Sequence, residues 1–480
     1  MDAAAKILLA GAECMPFAKT GGLADVLGTL PGELVKLGLD ARVILPYHKV
    51  IKEKYGDQIV HLTDFTVRLG WRSQYVGVET LTLNGVVFYF IDNEYYFGGP
   101  IYKGGEPEGE QYAFFTRAVL ESLERIGFIP DVIHCNDWHT ALIPMLIKTQ
   151  YWNTPLKDCK TLFTIHNMMY QGKFPFGFVN DLLDIEPRYY SSEYLEAYGC
   201  ANFMKAGLVF ADKISTVSPT YAEELQLAYY AYGLEGILNA RKNDLTGILN
   251  GIDTKEFDPA SDRYIRYHYS AEELSGKAEN KKALLTSMGL TSDPSVPLIG
   301  MVSRLTSQKG FDLIMRVFNE IMKEDVSILL LGTGDPAYES FFRGMEHAYK
   351  GRVCSYIGYD NALAHQIYAG SDLFLMPSQF EPCGISQMIS LRYGTLPVVR
   401  ETGGLRDTVR PYNEFTGEGN GFTFCNYNAH DMLEVIRLGL DTVKRPETHE
   451  MLMKRAMNED NSFIRSAQKY RELYLSLITN

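Results

Sequence analysis

The sequence is short of what several protein classes require. Its seven cysteines (Cys14, Cys135, Cys159, Cys200, Cys354, Cys383, Cys425) are odd in number and scattered, with no C-x-x-C pair. That argues against a disulfide framework or a zinc ribbon and fits reduced thiols. No stretch approaches the ~20 apolar residues of a membrane helix. The opening Met-Asp-Ala-Ala-Ala-Lys has neither the basic nor the apolar region of a secretory signal. A soluble cytoplasmic chain with no membrane partner is expected. Basic residues are the scarcer sign, 46 Lys and Arg against 59 Asp and Glu, for a net charge of −13. Nucleic-acid binding needs a cationic face, so no nucleic-acid partner is expected. The chain also lacks an Asp-x-Asp triplet and a Walker A loop. Neither a bound metal nor a cofactor is therefore expected, and any diphosphate would have to be neutralised by Lys and Arg.

What is present is a globular composition, 46% hydrophobic over 480 residues, long enough for two or three domains at ~150 residues each. Short apolar runs alternate with segments of helical period. Lys6–Ala12, Arg42–Leu45, Val86–Ile91, Val132–His134, Thr161–Ile165, Ile214–Val217 and Thr246–Leu249 read as strands. The pattern restarts at Leu298–Val302, Ser327–Leu331, Val353–Ile357, Leu373–Met376 and Leu396–Val399. Such alternation predicts βαβ units: an α/β protein of two Rossmann-like, doubly wound parallel-sheet domains facing a deep cleft. The polar, aperiodic stretch 251–269 reads as the linker and hinge between them. The expected domains are 1–250 and 251–455, with 456–480 a terminal helical segment that either caps the second domain or crosses back to the first.

Ligands of open α/β sheets sit at the carboxyl ends of the strands, and unusual residues follow these strands. Lys19-Thr20-Gly21-Gly22-Leu23-Ala24-Asp25 puts adjacent glycines and a lysine before a helix. This suits a phosphate, or is simply a tight turn with a solvated lysine. Arg304-Leu305-Thr306-Ser307-Gln308-Lys309-Gly310 spaces two cations that can converge on a diphosphate, whose charge grows as it leaves a sugar. Phe380-Glu381-Pro382-Cys383-Gly384-Ile385-Ser386-Gln387 holds a carboxylate at a strand end, placed for sugar hydroxyls, a cationic sugar carbon, or only the helix dipole. Cys383 reads as a packed thiol. His134–His139 and Thr164-Ile165-His166-Asn167 place histidines at strand ends, where hydrogen bonding to a ligand is favoured over zinc, with Asp137 able to orient one of them. Gly332-Thr333-Gly334-Asp335-Pro336 resembles a dinucleotide fingerprint, but its Asp-Pro is expected to interrupt the following helix. Thr402-Gly403-Gly404-Leu405 echoes the first glycine pair and offers a second turn for a phosphate or sugar.

Together, and in this order along almost the whole chain, these motifs closely resemble the bacterial glycogen synthases and plant starch synthases. The resemblance implies a two-lobe GT-B fold and a retaining transfer of glucose from ADP-glucose to the non-reducing 4-hydroxyl of an α-1,4-glucan. It implies that Arg304 and Lys309 meet the donor diphosphate and that Glu381 is the important acid near the glucose. By the same resemblance His166 contacts the sugar with Asp137 close by. Lys19, Gly21, Gly22, Asn167, Gln308, Cys383, Gly384, Ser386, Thr402, Gly403 and Gly404 are then placed around the donor. Other GT-B families carry a second glutamate eight positions after the first; here that position is Ile389. The family's central histidine in His-Cys-His-Asp-Trp-His is Asn136 here. Two other readings remain open: a non-catalytic regulator that binds glucan or nucleotide sugar, and an NAD oxidoreductase lacking a good fingerprint.

Overall fold

The structure is a computed structural model that describes residues 4–479. The chain divides into two units, Met1–Asn250 with Phe463–Asn480, and Gly251–Ser462. In the first, the strands are β1 (Lys6–Ala10), β2 (Asp40–Pro46), β3 (Val60–Leu69), β4 (Arg72–Leu83), β5 (Val86–Asp92), β6 (Val132–Asn136), β7 (Lys160–Ile165), β8 (Lys173–Phe174), β9 (Glu196–Ala197), β10 (Cys200–Asn202), β11 (Lys213–Thr216) and β12 (Leu245–Gly247). Nine of them form one sheet in the order β12-β11-β7-β6-β1-β2-β5-β4-β3, while β8, β10 and β9 pair as a small antiparallel sheet.

From β12 to β5 the large sheet is parallel, as expected. Ile7, Leu8, Leu9 and Ala10 of β1 are all fully buried, the continuous apolar run of a strand covered on both faces. The β3–β4–β5 edge departs from the all-parallel expectation and is antiparallel. Its cause is local: Asn84 and Gly85 both have positive φ, the two-residue turn that reverses β4 into β5.

The second unit carries β13 (Leu298–Val302), β14 (Ser327–Gly332), β15 (Val353–Ile357), β16 (Leu373–Met376), β17 (Leu396–Arg400) and β18 (Phe422–Phe424). They form a wholly parallel sheet ordered β15-β14-β13-β16-β17-β18. The order reverses between β13 and β16 here, and between β1 and β6 in the first unit. Those are the points where an open sheet leaves a crevice for a ligand.

Two expectations about connecting segments are corrected, and the alternative left open for the chain's last helical segment falls to the first unit. The stretch 251–269, read as a linker, packs within the second unit. Asp262 is buried there and accepts from the Tyr393 hydroxyl at 2.6 Å, and Tyr269 donates to the Tyr393 carbonyl at 2.8 Å. The terminal helical segment is two helices, Pro446–Met457 in the second unit and Phe463–Thr479 in the first. The latter buries Tyr470 and Tyr474 against Leu30 and Leu34 of the helix Gly22–Lys36. Asp335-Pro336 does not interrupt its helix but starts it. Asp335 Oδ1 accepts from Ala337 N at 2.8 Å, and Pro336 occupies the first turn, where a missing N–H costs little.

Candidate active site

In the second unit the loops after β13 and β16 meet at the reversal point. Lys309 Nζ donates to Glu381 Oε2 at 2.6 Å, and the Ser378 hydroxyl donates to the same oxygen at 3.0 Å. Both partners of the ion pair are largely buried, with side-chain exposures of 17% and 9%. A charge pair so withdrawn from water is oriented rather than loosely solvated. Gln308 sews the two loops together: its Nε2 donates to the Phe380 carbonyl at 3.2 Å, and its own carbonyl accepts from Gln379 N at 2.8 Å. Arg304 is exposed and makes no side-chain hydrogen bond or ion pair among the described residues. Its backbone is braced by the next loop, where Leu305 N donates to Thr333 O at 2.9 Å and Asp335 N to Leu305 O at 2.8 Å.

The pair Gly403-Gly404 is buried beneath the Glu381 turn. Gly404 N donates to the Glu381 carbonyl at 3.1 Å, and a methyl group on Gly404 would stand 1.9 Å from the Cys383 carbonyl oxygen. What these glycines do in the structure is let the Glu381–Cys383 backbone lie directly on the start of the helix Gly403–Thr408. Cys383 and Gly384 are buried within that turn and Ser386 is half-buried at the start of the next helix, while Thr402 is buried before Gly403.

In the first unit the loop after β1 wraps a carboxylate that sequence reasoning passed over. Glu13, buried, accepts from the Thr20 hydroxyl at 2.7 Å and from the Thr20 backbone N–H. Burial raises its pKa against those donors. Gly21 and Gly22 open the 15-residue helix Gly22–Lys36, and Lys19 Nζ lies 2.6 Å from Asp25 Oδ1 in its first turn.

Across the β1/β6 reversal point, Asp137 follows β6 with a left-handed backbone, φ 57°. Its Oδ1 accepts from His166 N at 2.7 Å and Asn167 N at 3.4 Å, fixing the loop after β7. Burial raises the Asp137 carboxyl to about 7. Burial also lowers His166 to about 3, so the ring is neutral at physiological pH. Its tautomer follows from Asn136. That amide nitrogen donates to the carbonyls of Ala10 (3.0 Å) and His134 (3.2 Å), so the amide oxygen faces His166 Nε2 at 2.9 Å. Nε2 must therefore carry the proton, leaving Nδ1 as an acceptor. The departure at position 136 was the available signal for this role.

His134 takes a different part. It is fully buried between the Tyr474 hydroxyl (2.7 Å) and Thr164 Oγ1 (2.6 Å), tying the final helix to β6. His139 packs among Tyr102, Tyr112 and Trp138. Among the described residues no group of His, Cys, Asp or Glu is arranged to hold a metal ion, and no helix is long and apolar enough to cross a membrane.

The family model of the starch synthase catalytic domain matches residues 6–240, and that of the glycosyl transferases group 1 matches residues 289–458. A glycogen synthase of Geobacillus thermodenitrificans is 54% identical over 474 residues, covering 98% of each chain. The chain belongs to the glycogen synthase family. A Clostridioides difficile member is 51% identical over 475 residues, covering 98% of this chain and 99% of its own. The catalytic domain of starch synthase IV from Arabidopsis thaliana, solved with ADP and acarbose, superposes with a TM-score of 0.92 at 32% identity. That match covers 99% of this chain and all of the other. A sucrose-phosphate synthase from Thermosynechococcus elongatus, at 18% identity and a TM-score of 0.63, shares the fold. As a member of this family the chain is a glycosyltransferase of GT-B fold, built from two Rossmann-like parallel-sheet domains.

Proposed function

We propose that this glycogen synthase family member transfers glucose from ADP-glucose to the non-reducing 4-hydroxyl of an α-1,4-glucan, with retention at the anomeric carbon. The observation that carries the reading is the buried Lys309–Glu381 contact, on the loop that also carries exposed Arg304, at the sheet-order reversal of the second unit. The ADP in the Arabidopsis structure supports adenosine diphosphate as the leaving group.

As the bond between C1 and the phosphate oxygen breaks, negative charge grows on the departing diphosphate. Lys309, held by Glu381, and the exposed Arg304 guanidinium on the same loop are available to that charge, and removing one such group typically costs ~3–4 kcal/mol of barrier. Glu381 holds Lys309 in place and offers its carboxylate to the sugar, whose ring carbon becomes cationic. In the first unit, Lys19 and the N–H groups opening the helix at Gly21-Gly22 supply positive potential suited to an anionic group. His166 offers Nδ1 to a sugar hydroxyl, and Asp137 sets the backbone of His166 and Asn167. The acceptor oxygen then bonds to C1 from the face the diphosphate leaves, and its proton passes to the departing phosphate oxygen. Gln308, Gly403 and Gly404 serve the donor by fixing the loops that carry Lys309 and Glu381.

Glu381→Ala and Lys309→Ala should each lower kcat for primer-dependent glucose incorporation by two or more orders of magnitude, with folding intact. Near-wild-type kcat in both would remove the assignment. A regulator that only binds glucan would release no ADP from ADP-glucose, whereas the enzyme releases ADP only when primer is supplied.

A further inference from the structure

Two tyrosines of the first unit occupy backbone positions that tyrosine pays to adopt. Tyr198 and Gly199 form the two-residue turn joining β9 to β10, with φ of 53° and 79°. That turn favours Asn-Gly, and a bulky residue at positive φ is strained there. Tyr232 and Gly233 repeat the arrangement after the helix Ala228–Ala231, at φ of 49° and 90°. Burial does not explain either choice, since Tyr198 is 74% exposed and Tyr232 is 38% exposed.

The two turns interlock. A methyl group on Gly233 would stand 2.5 Å from Tyr198 Cε2, so the Tyr198 ring lies over the Gly233 backbone. Partial burial raises the Tyr232 pKa, and exposed Tyr229 and Tyr170 stand close enough to add to the rise. Buried Gln171 ties the group to the candidate site. Its Nε2 donates to the Met168 and Tyr232 carbonyls at 3.2 and 3.3 Å, and its Oε1 accepts from Asn202 Nδ2 at 2.8 Å. Through Asn167 and Tyr170 the patch continues directly from the loop that carries His166.

We propose that Tyr170, Tyr198, Tyr229 and Tyr232 form a stacking platform for the acceptor glucan, leading its chain end toward His166. The proposal rests on the glucan-acceptor reading above. Tyrosine suits the task because its flat ring packs on the apolar faces of glucose units while its hydroxyl hydrogen-bonds the rim. Continuity with the His166 loop, and strain spent to hold exposed rings, favour a sugar polymer over a second copy of this chain.

The test uses Tyr198→Asn, which suits the turn better than tyrosine, and the double variant Tyr198→Asn/Tyr229→Ala. The melting temperature of Tyr198→Asn should be equal to or above wild type. Its KM for glycogen should rise about fivefold, more in the double variant, while the KM for ADP-glucose stays put. Retardation in a native gel containing glycogen, read without donor, should weaken in parallel. An unchanged glycogen KM and unchanged retardation in the double variant would overturn the proposal, as would a change in oligomeric state alone. Failure of wild type to use ADP-glucose would count against the transfer reaction, and the donor-free gel would still test the platform.

Discussion

A single methyl group at position 403 should separate activity from folding. Gly403 has φ 46°, and a methyl there would stand 2.0 Å from the Glu381 carbonyl oxygen, where real contacts do not fall below 3.0 Å. The Glu381 backbone must therefore retreat by an ångström or more. The neighbouring bond from Gly404 N to that carbonyl, 3.1 Å long, is then strained or lost. Alanine in a left-handed conformation costs ~1–2 kcal/mol, and the lost bond adds ~1 kcal/mol. The catalytic consequence is larger, because misplacing a reacting group by ~1 Å can cost ~100-fold in rate. Gly403→Ala should therefore melt a few degrees lower yet lose about two orders of magnitude in kcat for glucose transfer. Gly32→Ala is the control. It lies in the helix Gly22–Lys36 with nothing within 4 Å of the added methyl, and should gain ~0.5–1 kcal/mol with full activity. A folded Gly403→Ala enzyme with more than half of wild-type kcat would refute the reasoning.

Two further outcomes follow from buried groups. His48, His134 and His166 are lowered by burial to about 4, 3 and 3, below the unfolded value of 6.5. Their contribution to stability is complete above pH 6.5 and is lost as pH falls toward those values. The slope is ~1.4 kcal/mol per pH unit for each histidine. Thermal scans from pH 7 to 4.5 should show the decline, and His134→Gln should make it shallower; an identical slope would contradict it. Lys277 is buried in the second unit, its Nζ donating to the carbonyls of Ala369 (3.0 Å) and Tyr393 (2.9 Å) and to Thr395 Oγ1 (2.7 Å). Lys277→Met should destabilise by ~3 kcal/mol, since the Ala369 carbonyl and Thr395 Oγ1 lose their buried ammonium donor while the Tyr393 carbonyl keeps the Tyr269 hydroxyl. A urea midpoint equal to wild type would refute that.

The parallel strands were legible because burial on both faces leaves an unbroken apolar run, as in Ile7–Ala10 and Leu373–Met376. The β3–β4 ribbon was not, since β3 is largely exposed and the buried middle of β4, Val76-Gly77-Val78-Glu79, is no unbroken apolar run. Yet Asn84-Gly85 is a strong hairpin signal that could have been used. The stretch 251–269 lacks periodicity, so it read as a linker. Its order comes from single long-range contacts such as Asp262 with His365 and Tyr393, more than a hundred residues away. No local window contains that information.

The candidate site divides along the same line. Lys309, Glu381, His166 and Asp137 announced themselves by residue type and strand-end position. Their supports did not: Glu13, Ser378, Asn136 and the backbone beneath Gly403-Gly404 work only through partners brought together by the sheet. Asn136 makes the point most sharply. In sequence it is a departure from a histidine-rich motif that puts little in doubt and assigns the residue no role. In the fold, two carbonyls capture its amide nitrogen and force its oxygen toward His166, so it decides which ring nitrogen holds the proton. A histidine at 136 would offer one donor or one acceptor at each ring nitrogen, and two carbonyls as well as an imidazole could not all be served by a single neutral ring. The amide carries both functions at once, which is a physical reason for asparagine at a position where the family's motif has histidine.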